Sequence, residues 1–353
     1  MDYVRRAHAR GQALAQSGHA CILAIESSCD ETAVAVVRDG RQVLSSVIAS
    51  QIAVHAPYGG VVPEIASRQH VESIGPLVDE ALGQACVGWQ DIDALAVTQG
   101  PGLVGALLVG VAYAKALAFA RDVPLVPVHH IEGHVSANYI AHPALVPPFV
   151  CLVASGGHSH ILDVRDYGQY RVLGCTQDDA AGEAFDKAAR VLGLAYPGGP
   201  LLDALAEQGD PQAFALPKPR PEGAYDYSFS GLKTALMQLV HRMRQRGEDV
   251  PAADIAASFR SAVVESLVER AARAAQDTDA RALVLAGGVA ANRLLRVRLA
   301  QEAERIGLPF FLPPLALCGD NAAMIGSAAY YRLMRGVTAD LALNADPGLS
   351  LLG

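Results

Sequence analysis

Short apolar runs alternate with longer amphipathic segments along this chain, a pattern that predicts an α/β protein. In the first half of the sequence the order is three strands, a helix, a strand, a helix and a strand. These predicted elements are Cys21–Ser27, Thr32–Arg38, Gln42–Ala49, Val61–Gln84, Ala94–Thr98, Leu103–Ala120 and Val123–Val128. A turn at Asp39-Gly40 joins the second and third strands.

The second half of the sequence repeats the same order of elements. The predicted elements are strands Phe149–Ala154, His158–Val164 and Tyr170–Cys175, helices 178–192 and 254–275, strand Ala282–Ala286, helix 291–306, strand Pro309–Leu312 and a helix from about Gly319 to Arg335. Pro217–Gly231, rich in Pro, Gly and Tyr, predicts a long functional loop. Two such units, each a mixed sheet flanked by helices, resemble the actin-like nucleotide-binding architecture (ASKHA, a duplicated RNase H-like fold).

Chain length fits about two domains, since 353 residues exceed what one hydrophobic core usually serves. We expect residues 1–20 to form an N-terminal extension and residues 21–145 to form a first subdomain, completed by a helical segment at 319–345. Residues 146–318 would form the second subdomain, with an insertion near 210–250. Apolar residues make up 51% and charged residues 18%, which excludes disorder and coiled coil.

The net charge and the cysteine spacing disfavour several further classes of protein. A net charge of -8 is unsuited to a stand-alone, electrostatically driven nucleic-acid binder, although basic segments can act locally. The six cysteines lie far apart, which disfavours a disulfide framework or a structural zinc site. No secretory h-region follows Met1, and Leu103–Ala120 is interrupted by Lys115, so we expect a cytoplasmic protein without a membrane span.

Two histidines four residues apart, His130 and His134, follow a predicted strand and open a helical stretch. On a helix they would share one face and could hold one divalent transition metal. The alternative is a pair of partly exposed helix histidines. Glu132 would point about 200° away from His130, one place too late for the zinc-protease pattern, so a protease is disfavoured.

Two glycine turns could bind phosphate. Ser155-Gly156-Gly157 follows an apolar strand, and its backbone N–H groups would be open to an anion; the alternative is a plain hairpin turn. Gly287-Gly288 lies between a strand and a helix start, which favours an anionic or nucleotide ligand. Asn292 would then either reach a base or ribose, or merely cap the helix.

Several carboxylates have two interpretations each. Asp320 is either a helix cap or a metal ligand that completes a two-His, one-carboxylate set suited to Fe(II) or Zn(II). Asp186 would accept a ribose hydroxyl or pair with Arg190, and Gly199 would allow close ligand approach or simply form a turn. The acidic segment 26–31 would act through a cation or a substrate amine, or be a solvated turn.

Taken together, these segments resemble the universal family of tRNA N6-adenosine threonylcarbamoyltransferases, once called O-sialoglycoprotein endopeptidases. The resemblance covers nearly everything from Ile22 to Gly336 and is of the bacterial type. It rests on residues 25–32, Gly100-Pro101-Gly102, residues 129–134, 154–158, 182–187, 196–200, 227–234, 286–292 and Gly319-Asp320-Asn321.

The resemblance implies specific site residues. His130, His134 and Asp320 match the family's metal ligands, for one Fe(2+) or Zn(2+) per chain. The matching contacts to the adenylate substrate, or to ATP, ADP or AMP in its place, are Val153, Ala154, Ser155, Gly156, Gly157, Asp186, Gly199, Asp203 and Asn292. The ligand is expected in the cleft between the subdomains. Beyond what the resemblance implies, we expect Asp30 or Glu31 to be catalytic, receiving the amine proton or orienting the substrate.

The expected reaction transfers threonylcarbamoyl from threonylcarbamoyl-adenylate to N6 of the adenosine next to the anticodon (position 37) in tRNAs reading ANN codons, with release of AMP. The resemblance also implies a separate synthase that supplies the adenylate, and two partner subunits: a related inactive actin-like paralogue and a small P-loop ATPase. The alternatives are a small-molecule kinase on the same architecture, a metalloprotease, or a nucleotide-dependent scaffold.

Overall fold

The computed structural model describes residues 2–218, 221–278 and 280–351. Contacts along the chain divide it into two compact units. Unit 1 comprises Met1–Val146, Asp166–Gln169 and Gly319–Gly353, and unit 2 comprises Pro147–Arg165 and Tyr170–Cys318.

Ten strands in the described part of the chain form two five-stranded sheets of the same order, β3-β2-β1-β4-β5 in unit 1 and β8-β7-β6-β9-β10 in unit 2. The strands are β1 Cys21–Glu26, β2 Glu31–Arg38, β3 Gln42–Ser50, β4 Ala94–Gly100, β5 Leu125–His129, β6 Phe149–Ala154, β7 Ser159–Asp166, β8 Gln169–Cys175, β9 Leu283–Ala286 and β10 Phe310–Phe311. In each sheet the central strand is antiparallel to the next strand in sequence and parallel to the fourth. The repeated strand order is the structural form of the repeat that the sequence predicts.

The helices lie before, between and after these strands. They are α1 Asp2–Ser17, α2 Ile52–His55, α3 Pro63–Ala85, α4 Val104–Arg121, α5 His130–Ala141, α6 Ala181–Val191, α7 Gly198–Ala206, α8 Ser230–Gln245, α9 Ala252–Asp277, α10 Arg293–Arg305 and α11 Ala322–Met334. Short 3₁₀ turns occur at Ala56–Tyr58, Trp89–Asp91, Gly288–Ala291 and Leu315–Leu317.

The core of unit 1 surrounds its central strand, β1, all of whose residues are buried. Strands covered on both faces are apolar throughout rather than alternating, which is why Cys21–Ile25 is an unbroken apolar run. Helix α11 packs closely on this sheet: a Cβ at Gly326 would lie 2.7 Å from Val37 Cγ2. This close packing fixes the N-terminal end of α11, which follows Asp320.

Unit 2 is built around α9, whose buried face contacts the sheet and helices α6, α7 and α10. Phe185 of α6 and Phe259 of α9 meet edge to face, with ring centroids 6.2 Å apart. Tyr227, also fully buried, stacks on Phe229 just before α8. These aromatic side chains belong to the buried core of unit 2.

The predicted N-terminal extension contains a helix, α1, that packs within unit 1. Tyr3 is buried and its hydroxyl donates to the Val123 carbonyl at 2.9 Å. Arg6 donates from Nε and Nη2 to the two oxygens of the Asp122 carboxylate at 2.8–3.1 Å. Residue 1 lies outside the described part of the chain.

Two helices of unit 2 were not expected from the sequence. Helix α7 begins at Gly198, where the glycines and prolines predict only a turn, and α8 begins at Ser230, inside the predicted loop Pro217–Gly231. Residues 219 and 220 of that loop lie outside the described residues. Helix α4 is long and apolar enough to cross a membrane by length and composition, but one such helix is also typical of a buried core element, and its Ala106, Gly110 and Ala114 are buried.

Candidate metal centre and glycine turns

His130, His134 and Asp320 come together within unit 1. The two imidazoles lie one turn apart on α5, with ring centroids 4.7 Å apart and planes at 81°. Asp320 Oδ1 is 3.3 Å from His134 Nε2 and 3.5 Å from His130 Nε2. The potential ligand atoms all lie within 4.8 Å of one another, so one ion could contact all three.

The local structure explains why these side chains meet. Helix α5 starts at His130 itself, capped by His129, whose Nδ1 accepts from Ile131 N at 3.1 Å. Helix α11 is capped by Asn321, whose side chain accepts from Met324 N at 2.9 Å. Asp320 is therefore not the cap, and that alternative for this residue is wrong. A Cβ at Gly133 would lie 2.7 Å from Ile325 Cδ1, so the glycine lets α5 approach α11 closely.

The donor set fits a transition metal. His134 is fully buried, and neither of its ring nitrogens has a hydrogen-bond partner in the described residues; its 3.3 Å approach to Asp320 lacks hydrogen-bond geometry. A buried imidazole without a partner is costly, and a bound cation would satisfy it. Two imidazoles and one carboxylate are ligands that Fe(II) and Zn(II) accept with positions left open.

A buried carboxylate, Glu26, lies behind the first histidine. Its Oε2 is 3.2 Å from His130 Nδ1 and accepts from Thr98 Oγ1 at 2.6 Å, while its Oε1 accepts from Ser28 N at 2.5 Å. The Ser28 hydroxyl is also 3.2 Å from His130 Nδ1. The sequence placed Glu26 in an acidic segment but gave it no separate role. In the sequence, the only sign of a special role for Glu26 is that this carboxylate ends an otherwise apolar strand.

The electrostatics of this region are dominated by acidic groups. Burial, followed by the charges of Asp320 and Asp30, raises the pKa of Glu31 to about 9. Burial lowers the pKa of His130, but the Asp320 and Glu26 carboxylates outweigh it and raise that pKa to about 9. Asp30, just before β2, is buried, and Glu31 is the first residue of that strand. So many carboxylates in a buried region favour a bound cation.

The turn after β6 closes on itself and leaves its glycines exposed. Ser155 N donates to His158 O at 2.7 Å, and His158 N donates to Ser155 Oγ at 3.2 Å. Val153 and Ala154 precede this turn in β6, and a Cβ at Gly156 or Gly157 would meet nothing within 4 Å. The start of α6 packs beneath it, since Gly182 N donates to Ser155 O at 3.2 Å. The arrangement is a hairpin turn that also offers open space beside two glycines.

The turn after β9 depends on a glycine conformation. Gly287 has φ of +91°, and a Cβ there would lie 2.3 Å from Ala154 O. Asn292 caps α10, accepting from Leu295 N at 2.9 Å, and donates to Asp203 Oδ1 at 2.9 Å. The cap interpretation of Asn292 is thus correct, and its amide nitrogen also reaches Asp203.

Asp203 links three helices of unit 2. Its Oδ1 accepts from Arg260 Nη1 at 2.8 Å, and its Oδ2 accepts from Arg293 N at 3.2 Å. Arg260 also pairs with Glu207. Nearby, Asp186 Oδ1 accepts from Gly199 N at 2.8 Å, which holds the start of α7 against α6. Four of the predicted substrate contacts of unit 2 are therefore joined in two hydrogen-bonded pairs, Asp203 with Asn292 and Asp186 with Gly199.

Glu132 has a different environment from the two histidines. It is buried, and its Oε2 accepts from Arg332 Nη1 of α11 at 2.9 Å. This ion pair, together with a spacing from His130 that differs from the zinc-protease pattern, disfavours a protease role for Glu132.

Comparisons with known proteins all indicate one enzyme family. A profile of the tRNA N6-adenosine threonylcarbamoyltransferase family matches residues 42–327. The chain is 57% identical to the tRNA N6-adenosine threonylcarbamoyltransferase of Moorella thermoacetica over 331 residues, 94% of this chain and 97% of the relative. It is 53% identical to that of Clostridioides difficile, over 93% of this chain and 98% of the relative.

Solved structures show the fold. HypF of T. kodakarensis superposes with a TM-score of 0.61 at 15% identity, over 90% of this chain and 48% of that one. At this identity the likeness concerns architecture alone, and with the two matching sheets it confirms the predicted actin-like α/β fold. Because the profile covers most of the sequence and the relatives match nearly its whole length, the chain belongs to the tRNA N6-adenosine threonylcarbamoyltransferase family.

Proposed function

We propose that this chain transfers the threonylcarbamoyl group from threonylcarbamoyl-adenylate to N6 of adenosine 37, next to the anticodon, in tRNAs that read ANN codons. The observation that supports this most is 57% identity to a transferase of that name along 94% of the chain. A kinase of the same architecture has no use for paired imidazoles, because Mg²⁺ prefers oxygen ligands.

The metal would be held by His130, His134 and Asp320, as Fe(2+) or Zn(2+). When bound, it would supply Lewis-acid polarisation and orientation of the substrate. The support for this assignment is the buried His134 ring, which lacks any other hydrogen-bond partner in the described residues.

The adenylate would be bound by residues of unit 2. The turn Ser155-Gly156-Gly157 would receive the phosphate through the backbone N–H groups of its two glycines, because exposed glycine amides bind anions without steric hindrance. The Ser155 N–H already donates to His158 O. Val153, Ala154, Asp186, Gly199, Asp203 and Asn292 complete the proposed contacts. Of these, Asp203 and Asn292 are joined by a hydrogen bond, so a ligand touching either meets a fixed partner.

In the transfer, a bond forms between N6 and the carbamoyl carbon, and the bond from that carbon to the phosphate oxygen breaks. AMP leaves with the electron pair of the broken bond. The proton on N6 would pass to Asp30 or Glu31. Because its pKa is raised to about 9, Glu31 already holds a proton at neutral pH, and it would accept another group's proton only when a bound cation lowers that pKa. The acceptor adenine must leave its stack to react, as in other base-modifying enzymes.

We also propose a cytoplasmic location and dependence on other proteins for tRNA binding. The net charge of -8 is unfavourable for binding tRNA alone. A separate synthase, an inactive actin-like paralogue and a small P-loop ATPase are the partners that the family suggests. Basic residues on α8 and α10 could contribute locally.

The test is mass spectrometry of tRNA nucleosides. A bacterial extract depleted of its own transferase, which retains synthase and partner subunits, is supplied with threonine, bicarbonate and ATP. Adding the chain should restore threonylcarbamoyladenosine, whereas His130→Ala and Asp320→Ala should not. His8→Ala, which changes an exposed histidine of α1, is the matched control and should restore it fully.

Each rival predicts a different result. Threonine-independent phosphorylation of a small molecule would favour a kinase. Full restoration by His130→Ala and Asp320→Ala would leave only a scaffold role for the chain. Either result would contradict the proposed function.

A further inference from the structure

The fully buried side chain of Glu26 is held rigidly beside His130. Glu26 ends β1, and β1 pairs in parallel with β4, which places Thr98 of β4 next to the carboxylate. Ser28 N and Thr98 Oγ1 donate to its two oxygens at 2.5 and 2.6 Å. Thr98 belongs to β4 and Ser28 follows the end of β1 by two residues, so both donors are held by the sheet and the carboxylate has little freedom to move.

This arrangement determines which ring nitrogen of His130 carries a hydrogen. A carboxylate only accepts hydrogen bonds, and Oε2 lies 3.2 Å from Nδ1, so Nδ1 is the N–H donor. In a neutral imidazole the other nitrogen, Nε2, then holds a lone pair. Nε2 is the atom that lies 3.5 Å from Asp320 Oδ1, on the side of the candidate metal centre.

We propose that Glu26 is a positioning residue for metal binding: it fixes the tautomer and ring orientation of His130 so that the Nε2 lone pair points at the ion. This inference rests on the proposed metal centre. Glu26 does not ligate the ion, since its oxygens face Nδ1, Thr98 and Ser28. A hydrogen-bonded carboxylate also makes the imidazole a stronger ligand, and such partners typically contribute about 10–100-fold in metal affinity.

The second histidine lacks this support. Neither ring nitrogen of His134 has a hydrogen-bond partner within the described residues. The orientation of the imidazole pair therefore depends on the partner of His130, and the loss of that partner should be felt by the whole donor set.

The experiment measures zinc affinity of the full chain after metal removal, by competition with a chromophoric chelator. Glu26→Gln keeps the size of the side chain but not its charge or its two equivalent acceptors. It should weaken the zinc Kd about 10–100-fold. With Co(2+) as a probe, its visible absorption bands should also shift, which a purely structural role for Glu26 would not produce.

Two further variants make the result decisive. Glu132→Gln alters another buried carboxylate of the same region, one that pairs with Arg332, and should leave the zinc Kd unchanged. Thr98→Val removes a donor to Glu26 without touching His130, and should weaken zinc binding by a smaller factor. If circular dichroism shows that Glu26→Gln fails to fold, Thr98→Val still tests the role of Glu26.

The outcomes separate this inference from the metal centre itself. If Glu26→Gln and Thr98→Val bind zinc like the unmodified chain while His130→Ala does not, the centre stands and the role of Glu26 is refuted. If His130→Ala binds zinc as tightly as the unmodified chain, the centre is refuted and the inference with it.

Discussion

The turn after β9 gives a quantitative prediction for the glycine pair 287–288. Gly287 is buried, with φ of +91° and ψ of 169°, a region that is essentially reserved for glycine. Gly288 is exposed, and a Cβ there would meet no atom within 4 Å. The two adjacent glycines therefore form a matched pair, and only the first is required by the backbone.

The expected cost of Gly287→Ala has two parts. The backbone conformation costs about 1–3 kcal/mol for a residue with a side chain. The new Cβ would lie 2.3 Å from Ala154 O, and relieving such overpacking costs about 1–3 kcal/mol more. The sum is about 2–6 kcal/mol, whereas Gly288→Ala should stay within about 0.5 kcal/mol.

Urea unfolding followed by far-UV circular dichroism measures the difference. With a slope of about 2 kcal/mol/M, Gly287→Ala should lower the midpoint by about 1–3 M and Gly288→Ala by less than about 0.3 M. Trp89 fluorescence is unsuitable as the sole probe, because this tryptophan, the only one in the chain, belongs to unit 1. Equal midpoints for the two variants would refute the reasoning.

Three further predictions concern stability. Arg260→Met leaves the Asp203 carboxylate buried without its charge partner and should lower the free energy of unfolding in urea by about 3–5 kcal/mol. Adding Asp203→Asn to Arg260→Met should restore part of this loss, and a double variant without any recovery would contradict the pairing. Burial lowers the pKa of His70, despite the Cys29 carbonyl and nearby carboxylates, so His70 binds a proton more readily in the unfolded chain than in the folded one. The free energy of unfolding should therefore fall as the pH drops below about 6.5, and His70→Gln should reduce this fall. An identical pH profile for His70→Gln would contradict this role of His70. Tyr3→Ala removes a buried ring of α1 and should cost about 3 kcal/mol in thermal unfolding while zinc affinity stays unchanged; a lost zinc site would show that α1 does more than pack.

The sequence predicted the sheets better than the helices of unit 2. Strands such as Cys21–Glu26 are continuous apolar runs ended by polar residues, and that signal is local. Helix α7 was missed because Gly198, Gly199 and Pro200 are typical of turns, while the contacts that stabilise the helix come from α6 and α9. Helix α1 was missed because its few buried side chains contact residues more than 100 positions away.

In the candidate site, too, local sequence patterns predicted some residues, whereas others depend on contacts between distant segments. His130 and His134 could be predicted as a pair because their spacing is that of one helical turn. The approach of Asp320 depends on the packing of α11 on α5, which no local pattern gives; the family resemblance supplied it. The role of Glu26 required coordinates, because its partners Ser28, Thr98 and His130 come from three different segments.

X-ray absorption spectroscopy of the zinc-loaded chain tests the central claim most directly. The account predicts nitrogen and oxygen ligands at about 2.0–2.1 Å, with the outer-shell scattering of two imidazoles and no sulfur at about 2.3 Å. His134→Ala should lose half of the imidazole signal. A sulfur ligand, or a spectrum that His134→Ala leaves unchanged, would contradict a metal held by His130, His134 and Asp320.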